Sequence, residues 1–209
     1  QNIVEIGPGL GNLTDFIINE KPKSLLLIEK DFKLFNYLKT KYKDNKTIKI
    51  INTDALKYNF SELNNIKIIS NLPYNISTKI IIKLIFYNKN IKNMIFMIQK
   101  ELAEKFYYNN NKMNKYKFII NVCTNYNMLF NVSNKVFYPK PKVNSKVVEF
   151  KLKNIQVDQK KLYNFINAIF KNKRKNLKNK IENSFLIDEK VLSKRVEELT
   201  FRELLKIYN

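Results

Sequence analysis

Three glycines in the segment EIGPGLG, Gly7, Gly9 and Gly11, lie between an apolar β-branched run and an amphipathic run. Glycines at a strand-to-helix turn let the backbone approach a ligand closely at the carboxyl edge of a parallel sheet, where nucleotide-like cofactors bind. The spacing is G-x-G-x-G and not G-x-G-x-x-G, so the pyrophosphate contacts of a dinucleotide site are not clearly encoded. The loop therefore favours a cofactor without phosphates, and a simple tight turn is the alternative.

Two carboxylates follow the next two predicted strands. Glu29 ends the second strand, 18 residues after Gly11, where a carboxylate can accept hydrogen bonds from both hydroxyls of a ribose. Asp54 ends the third strand, where a carboxylate can accept from an adenine amine while Ala55 and Leu56 pack near the ring. Taken singly, Glu29 could be a solvated charge and Asp54 a helix N-cap. Together with the glycine loop, the two acids predict an adenosine-binding pocket.

The fourth predicted strand ends in the tetrapeptide Asn71-Leu72-Pro73-Tyr74. An adenine exocyclic amine is a poor nucleophile because its lone pair is delocalised into the ring, so a methylating enzyme must align that lone pair with the electrophile. The Asn71 side-chain oxygen and the Leu72 carbonyl, held by the restriction that Pro73 imposes on the preceding residue, could accept the two amine protons. Tyr74 then offers its face to an extruded base. The alternative is a proline turn with a surface tyrosine.

A parallel sheet would bring these loops together at one edge. Apolar β-branched runs alternate with helical patterns over the first half of the chain, which indicates a parallel sheet covered by helices. The predicted strands cover 2–6, 24–28, 47–52, 66–70 and 94–98, and the predicted helices cover 10–18, 32–41, 77–87 and 99–107.

The second half of the chain ends in a helical region. A helix is predicted over 116–125, and strands over 128–132 and 146–152 flank FYPKPKVNS, whose prolines prevent regular structure. We predict a first domain over 1–153 and a small helical domain over 154–209, which needs to dock on the first. Apolar residues at helical spacing form one face of its first helix: Leu162, Phe165, Ile166, Ile169 and Phe170.

The charge balance favours a polyanionic partner. The 209 residues include 39 Lys and Arg against 18 Asp and Glu, a formal charge of +21, and nucleic acid is the leading candidate. The alternative is a Lys-rich composition that only solvates the surface. The densest run, KNKRKNLKNK over 171–180, holds six basic residues and no acid, with a solvated helix face as its alternative. Its candidate RNA-phosphate contacts are Lys171, Lys173, Arg174, Lys175 and Lys178.

Several classes of protein are excluded or disfavoured. The chain has no His, so Ser-His-Asp and Cys-His catalysis and imidazole zinc sites are impossible, and we predict no metal site. The single Cys123 cannot form an internal disulfide and is predicted to be a small buried hydrophobe. No apolar stretch approaches the roughly 20 residues of a membrane span. We expect a soluble cytoplasmic protein without a membrane partner, whose N-terminal piece precedes this sequence because the chain starts without Met inside a strand.

The motifs EIGPGLG, IEKD, NTDAL, NLPYNIS, FYPKPKVNS and FKNKRKNLKN, in this order and spacing, resemble the ribosomal RNA adenine dimethyltransferase family of the KsgA (RsmA) type. The resemblance covers nearly the whole chain. It implies an α/β fold, a Rossmann-like S-adenosylmethionine-dependent methyltransferase domain with a small helical C-terminal domain. It also implies dimethylation of two adjacent adenosines near the 3′ end of small-subunit (16S) ribosomal RNA. The enzyme would act as a monomer on a pre-ribosomal particle during ribosome biogenesis.

The resemblance also assigns roles to individual residues. Phe137 of FYPKPKVNS would pack against the target base opposite Tyr74, and its alternative is a core aromatic at a strand end. The catalytic set that receives the base would be Asn71, Leu72, Pro73, Tyr74 and Phe137. The residues that bind S-adenosylmethionine would be Gly7, Gly9, Gly11, Glu29, Asp54, Ala55 and Asn71.

Two other functions stay open. The Erm methyltransferases, which modify large-subunit ribosomal RNA, share the NLPYNIS-like and PKPKVNS-like motifs, but FKNKRKNLKN resembles a C-terminal stretch of the KsgA type. A non-catalytic RNA-binding assembly or transcription factor could also keep the fold. The intact motif from Asn71 to Tyr74 argues against that second alternative.

Overall fold

The computed structural model describes residues 1–108, 112–138, 141–171, 175–179 and 187–209. Its strands are β1 (Asn2–Ile6), β2 (Ser24–Glu29), β3 (Ile48–Asn52), β4 (Ile66–Asn71), β5 (Ile91–Gln99), β6 (Thr124–Val132) and β7 (Ser145–Leu152). Its helices are α1 (Asn12–Asn19), α2 (Phe32–Lys41), α3 (Ser77–Leu84), α4 (Lys100–Phe106), α5 (Lys115–Cys123), α6 (Gln159–Phe170), α7 (Glu189–Leu192) and α8 (Phe201–Tyr208).

The strands form one seven-stranded sheet in the order β3-β2-β1-β4-β5-β7-β6. Strand β1 pairs in parallel with β2, where Ile6 faces Ile28, and with β4, where Val4 faces Ile68. Strand β7 runs antiparallel to both of its neighbours, β5 and β6, and the other strand pairs in the described residues are parallel. The strand order reverses direction at β1, and ligands of open α/β sheets bind beyond the carboxyl ends of the strands at such a point. The glycine loop after β1 and the tetrapeptide after β4 therefore lie side by side.

Helices cover both faces of the sheet, because alternate residues of each parallel strand point to opposite sides. Leu25 and Leu27 of β2 pack with Ile17 of α1 in a small apolar cluster on one face. Leu26 and Ile28 point to the other face and join a much larger cluster that contains the apolar sides of α3, α4, α5 and α6. The predicted α/β class and Rossmann-like architecture are thus confirmed.

The helices after residue 153 bury their apolar residues in that same large cluster. The Phe118 ring on α5 lies 5.5 Å from the Phe165 ring of α6 and 5.8 Å from the Phe201 ring of α8, measured between centroids. The predicted apolar face of α6 is buried here, with Phe165 only partly covered. The division of the chain at 153/154 into two domains stays a prediction, since the core runs continuously across that boundary.

The largest departures from the predicted elements occur around β5 and β6. The helix predicted to reach residue 125 ends at Cys123, because the Thr124 hydroxyl donates to the Ile120 carbonyl at 2.8 Å and Thr124 opens the ladder of β6 opposite Leu152. Strand β5 begins at Ile91, three residues before the predicted start, because the polar residues that follow it still pair with β4. Cys123 is buried as predicted, and burial raises the pKa of its thiol to about 12.

Membrane-spanning length is not reached by any helix in the described ranges.

Candidate cofactor and acceptor site

The glycine loop adopts a backbone that only glycine takes up without strain. Gly7, Gly9 and Gly11 have φ angles of +65°, +61° and +82°, in the left-handed region where a Cβ is disfavoured. A Cβ on Gly9 would meet no atom within 4 Å, so the loop borders open space there. A Cβ on Gly11 would instead collide with the Tyr42 hydroxyl. Gly9 therefore faces a volume that a ligand can enter, whereas Gly11 is needed for packing.

Side chains at the end of α2 and on α1 brace this loop from behind. The Tyr42 hydroxyl lies 3.1 Å from the Gly11 carbonyl and 2.6 Å from Asp15 Oδ1. Lys41 Nζ donates to the Leu10 carbonyl at 3.1 Å and to Asp15 Oδ2 at 2.7 Å. The loop is thus tied to two helices before any ligand binds.

Glu29 lies at the end of β2, directly beneath the loop. Its Oε2 accepts from the Gly9 N–H at 3.2 Å and its Oε1 from the Asp31 N–H at 2.8 Å. The residue is only 6% exposed, which rules out the solvated-charge alternative. Each carboxylate oxygen has a second lone pair that can accept from a ribose hydroxyl.

Asp54 follows β3, and each of its carboxylate oxygens makes one polar contact. Its Oδ1 accepts from the Leu56 N–H at 2.9 Å, so it caps a turn, although no helix follows. Its Oδ2 pairs with Lys30 Nζ at 2.9 Å, and the hydrogen bond from Lys30 is the main cause of the lowered pKa of Asp54. The Lys30 side chain is 74% exposed. A ligand amine can therefore displace it from Asp54 at little energetic cost, because an exposed ion pair contributes little free energy. Ala55 is buried beside this carboxylate.

The acceptor loop, residues 71–74, leaves the Asn71 side chain and the Leu72 carbonyl available. Asn71 is exposed at the end of β4, and the Leu72 N–H donates to the Met97 carbonyl at 3.2 Å. The Pro73 carbonyl accepts from the Ser77 N–H at 3.0 Å, which turns the chain into α3. Within the described ranges, no hydrogen bond is made by the side-chain amide of Asn71 or by the Leu72 carbonyl.

The glycine loop and the acceptor loop lie next to each other. A Cβ placed on Gly7 would lie 3.9 Å from Pro73 Cδ. Just before the two loops, the Ser70 hydroxyl donates to the Ile6 carbonyl and joins the ends of β4 and β1. A cofactor over the first loop and a base at the second would therefore be neighbours.

Tyr74 and Phe137 lie on segments that meet at the start of β7. The Tyr74 hydroxyl is 2.7 Å from the Ser145 hydroxyl, and Ser145 pairs with Val132 at the end of β6. Phe137 is partly buried in the segment after β6, next to the short 3₁₀ turn Asn134–Val136. Among the described ring pairs, Tyr74 and Phe137 do not contact each other.

Three of the five predicted RNA-contact residues lie within the described ranges. Lys173 and Arg174 lie outside the described residues. Lys171, Lys175 and Lys178 are exposed, and Lys171 borders a groove of about 560 Å³ between the α4–α5 connection and α6.

Sequence reasoning missed two ionisable residues near these loops. Glu5 in β1 is 2% exposed and accepts from the Thr14 hydroxyl at 2.7 Å; burial raises the pKa of its carboxyl to about 7 against the opposing effect of that hydrogen bond. Lys83 on α3 contacts the turn after Asp54. The only sequence signal for Glu5 is an acid inside an apolar strand, two residues before Gly7.

Comparisons with known proteins agree with this geometry. The chain is 38% identical over 209 residues to "Ribosomal RNA small subunit methyltransferase A" of Hydrogenobaculum sp., covering 99% of this chain and 81% of the relative. It is 34% identical to the protein of the same name from Mycoplasma capricolum, covering 100% of this chain and 86% of the relative.

Two solved structures share the fold over nearly the full length. A dimethyladenosine transferase from Plasmodium falciparum has a TM-score of 0.82 at 24% identity, covering 100% of this chain and 90% of that one. The 23S rRNA methyltransferase ErmE has a TM-score of 0.74 at 19% identity, covering 99% and 89%.

The family described as "Ribosomal RNA adenine dimethylase" matches residues 1–208 of the chain. That match takes in the glycine loop, both carboxylates, the acceptor loop and the C-terminal helices. The chain belongs to the ribosomal RNA adenine dimethylase family and is an S-adenosylmethionine-dependent methyltransferase.

Proposed function

We propose that the protein dimethylates two adjacent adenosines near the 3′ end of small-subunit ribosomal RNA during ribosome biogenesis. The proximity of Gly7 in the glycine loop to Pro73 in the acceptor loop carries this proposal because it makes cofactor and target base neighbours. The small subunit is chosen because relatives at 34% and 38% identity carry that subunit in their names.

The residues around the glycine loop fit the cofactor. S-adenosylmethionine supplies an electrophilic methyl group on a sulfonium and has no phosphate, in keeping with the G-x-G-x-G spacing. Gly7, Gly9 and Gly11 would line its methionine and ribose parts, and Gly9 borders open space. Glu29 would accept from the ribose hydroxyls, and Asp54 would accept from the adenine amine beside Ala55.

The acceptor loop would prepare the target amine. The Asn71 side-chain oxygen and the Leu72 carbonyl accept hydrogen bonds from the two N–H groups of the amine. These bonds direct the nitrogen lone pair out of the plane of the ring. Tyr74, oriented through Ser145, stacks on one face of the base, and Phe137 covers the other. No protein base is required, because the methylated amine is cationic and loses its proton readily. Preorganised acceptors of this kind lower the barrier mainly by orientation.

The C-terminal helices and the basic run would supply RNA affinity. Lys171, Lys175 and Lys178, together with Lys173 and Arg174, would contact phosphates, which position an RNA without reading its sequence. We propose that the protein acts as a monomer in the cytoplasm, on small-subunit RNA within a pre-ribosomal particle.

Two alternatives have less support. ErmE, a large-subunit enzyme by its name, shares the fold at 19% identity, well below the relatives named for the small subunit. A non-catalytic RNA-binding factor would not need the vacant acceptors at Asn71 and Leu72.

Mass spectrometry of ribosomal RNA tests the proposal. Small-subunit and large-subunit particles lacking adenine methylation would each be incubated with the protein and isotope-labelled S-adenosylmethionine, with the Asn71→Ala variant as control. We expect two adjacent dimethyladenosines near the 3′ end of the small-subunit RNA only. Label confined to large-subunit RNA would establish the Erm-type alternative, and absence of label from both would favour the non-catalytic factor.

A further inference from the structure

Lys83, near the end of α3, donates to three backbone carbonyls of one turn. Its Nζ lies 3.1 Å from the Ala55 carbonyl oxygen, 2.8 Å from that of Leu56 and 2.6 Å from that of Tyr58. A lysine ammonium has three N–H groups, so this turn accounts for all of them. The side chain does not extend into solvent as most lysines on a surface helix do.

The surroundings of this ammonium are partly apolar. Nζ lies 5.5 Å from the centroid of the Phe60 ring, and the Lys83 side chain is half-buried. Burial lowers the pKa of Lys83, and the nearby Asp54 carboxylate partly opposes that shift. A lysine ammonium at this position stabilises one arrangement of the carbonyls around it, because a partly apolar environment offers those carbonyls few other hydrogen-bond donors.

The turn that Lys83 holds begins at Asp54. The Asp54 carbonyl accepts from the Lys57 N–H at 2.8 Å and from the Tyr58 N–H at 3.0 Å. The Leu56 N–H donates to Asp54 Oδ1 while the Leu56 carbonyl accepts from Lys83, so both polar groups of Leu56 are fixed. The direction of the Asp54 carboxylate thus depends on peptides whose orientation Lys83 sets.

The same helix also starts at the acceptor loop. The Ser77 N–H at the beginning of α3 donates to the Pro73 carbonyl at 3.0 Å, and Lys83 follows within two helical turns. One short rigid element therefore connects the acceptor loop with the turn after β3, although the strands β3 and β4 are separated by β2 and β1 in the sheet.

We propose that Lys83 is a positioning residue, which orients the turn 54–58 so that Asp54 recognises the adenine amine of the cofactor, and which links that subsite through α3 to the acceptor loop. This inference rests on the proposed role of Asp54 in adenine binding. In this role Lys83 acts through the turn 54–58, and it is not among the residues proposed to contact the cofactor or the target base.

Calorimetry with two cofactor products tests the inference. S-adenosylhomocysteine carries the adenine amine, and S-inosylhomocysteine has a carbonyl oxygen in its place and a proton on N1, so the ratio of their affinities reports recognition of that edge of the base. We expect Lys83→Met, which keeps an unbranched side chain, to weaken S-adenosylhomocysteine binding about tenfold and to leave S-inosylhomocysteine nearly unchanged. Lys83→Arg, which retains a cation with several donors, should recover most of the preference.

The controls separate positioning from general stability. Lys79→Met removes an exposed lysine one turn earlier on α3 and should leave both affinities unchanged. If Lys83→Met weakens both ligands by the same factor, or lowers only the melting temperature, the positioning role is wrong. If Lys83→Met does not fold, Lys83→Gln, which keeps one neutral donor, takes its place with the same expected loss of preference.

A further variant distinguishes this inference from the proposed function. If Asp54→Ala keeps the wild-type preference for S-adenosylhomocysteine, Asp54 does not bind the adenine, and the role of Lys83 is overturned with it. If Asp54→Ala loses the preference while Lys83→Met keeps it, the adenine subsite stands and only the role of Lys83 is overturned.

Discussion

The glycine loop and the acceptor loop lie next to each other but are built in opposite ways. The glycine loop is held from below by Glu29 and from behind by Tyr42 and Lys41. In the acceptor loop, the Leu72 N–H and the Pro73 carbonyl are hydrogen-bonded and fix the backbone. The side-chain amide of Asn71 and the Leu72 carbonyl have no hydrogen bonds from the described residues. A loop that binds the cofactor can be rigid before binding. A loop that binds the target base must keep hydrogen-bond acceptors free for that base. Changes in the two loops should therefore affect different measurements.

The largest expected effect comes from the vacant acceptor. Asn71→Ala should lower the rate of methyl transfer by about 100-fold or more, because the lost hydrogen bond belongs to the reacting amine. Calorimetric affinity for S-adenosylhomocysteine should fall much less than the rate, because the glycine loop, Glu29 and Asp54 supply the other predicted contacts to that ligand. Single-turnover kinetics on small-subunit RNA measures the rate, and a wild-type rate would show that Asn71 does not align the amine.

The buried Glu5 gives the next largest effect, on stability. Its folded-state pKa is raised from 4.5 to about 7, so its contribution to stability is full below pH 4.5 and is lost as the pH rises towards 7. Glu5→Gln keeps an acceptor for Thr14 but cannot ionise, so it should stabilise the protein by about 3 kcal/mol at pH 8 and hardly at pH 4. Urea unfolding across this range measures the difference. Equal pH dependence in the two proteins would contradict a buried, neutral Glu5.

Glu29 tests the braced side of the comparison. Glu29→Ala should cost about 1 to 3 kcal/mol of S-adenosylmethionine binding, because the ribose hydroxyls and the Gly9 N–H both lose their acceptor. Glu20→Ala, an exposed acid at the end of α1, serves as the matched control for the loss of one negative charge. Unchanged affinity in calorimetry would remove Glu29 from the site, and a preference for NAD would contradict the cofactor assignment.

The smallest effect for each residue is expected in the basic run 171–180. Replacing Lys171, Lys175 and Lys178 with Gln should flatten the slope of log affinity against log salt by about two to three, since each neutralised phosphate contributes somewhat under one unit. S-adenosylmethionine affinity should not change. The same number of substitutions at Lys21, Lys23 and Lys46, remote from α6 in sequence, provides the control. An unchanged slope would mean that Lys171, Lys175 and Lys178 lie on a solvated surface and do not contact RNA phosphates.

Much of the fold follows from local patterns. Apolar β-branched runs predicted β1 to β4 to within one residue, and the four motifs fall at the carboxyl edge because parallel strands bring their ends together. The boundary between α5 and β6 could not be predicted, since it depends on the pairing of Thr124 with Leu152 across the sheet. Local sequence contains no information about a partner 28 positions away.

The site was predicted less completely than the fold. Glycines and strand-end acids carry a local signal, so Gly9 and Glu29 were identified and are found in contact. Lys83 and Glu5 have no such signal, because a lysine on a helix and an acid in a strand acquire meaning only from burial and from long-range partners. The proximity of Gly7 and Pro73 likewise depends on the strand order, which places β4 beside β1.

The reversed strand β7 has a consequence for how the chain completes its sheet during synthesis. Strand β5 pairs with β4 on one side and with β7 on the other, whereas β6 pairs only with β7. Until Ser145–Leu152 has left the ribosome, β5 presents an open edge with apolar side chains, and β6 has no partner. Open edges of this kind pair readily with other chains. The nascent protein is therefore most exposed to misassembly in the interval between the synthesis of β5 and that of β7.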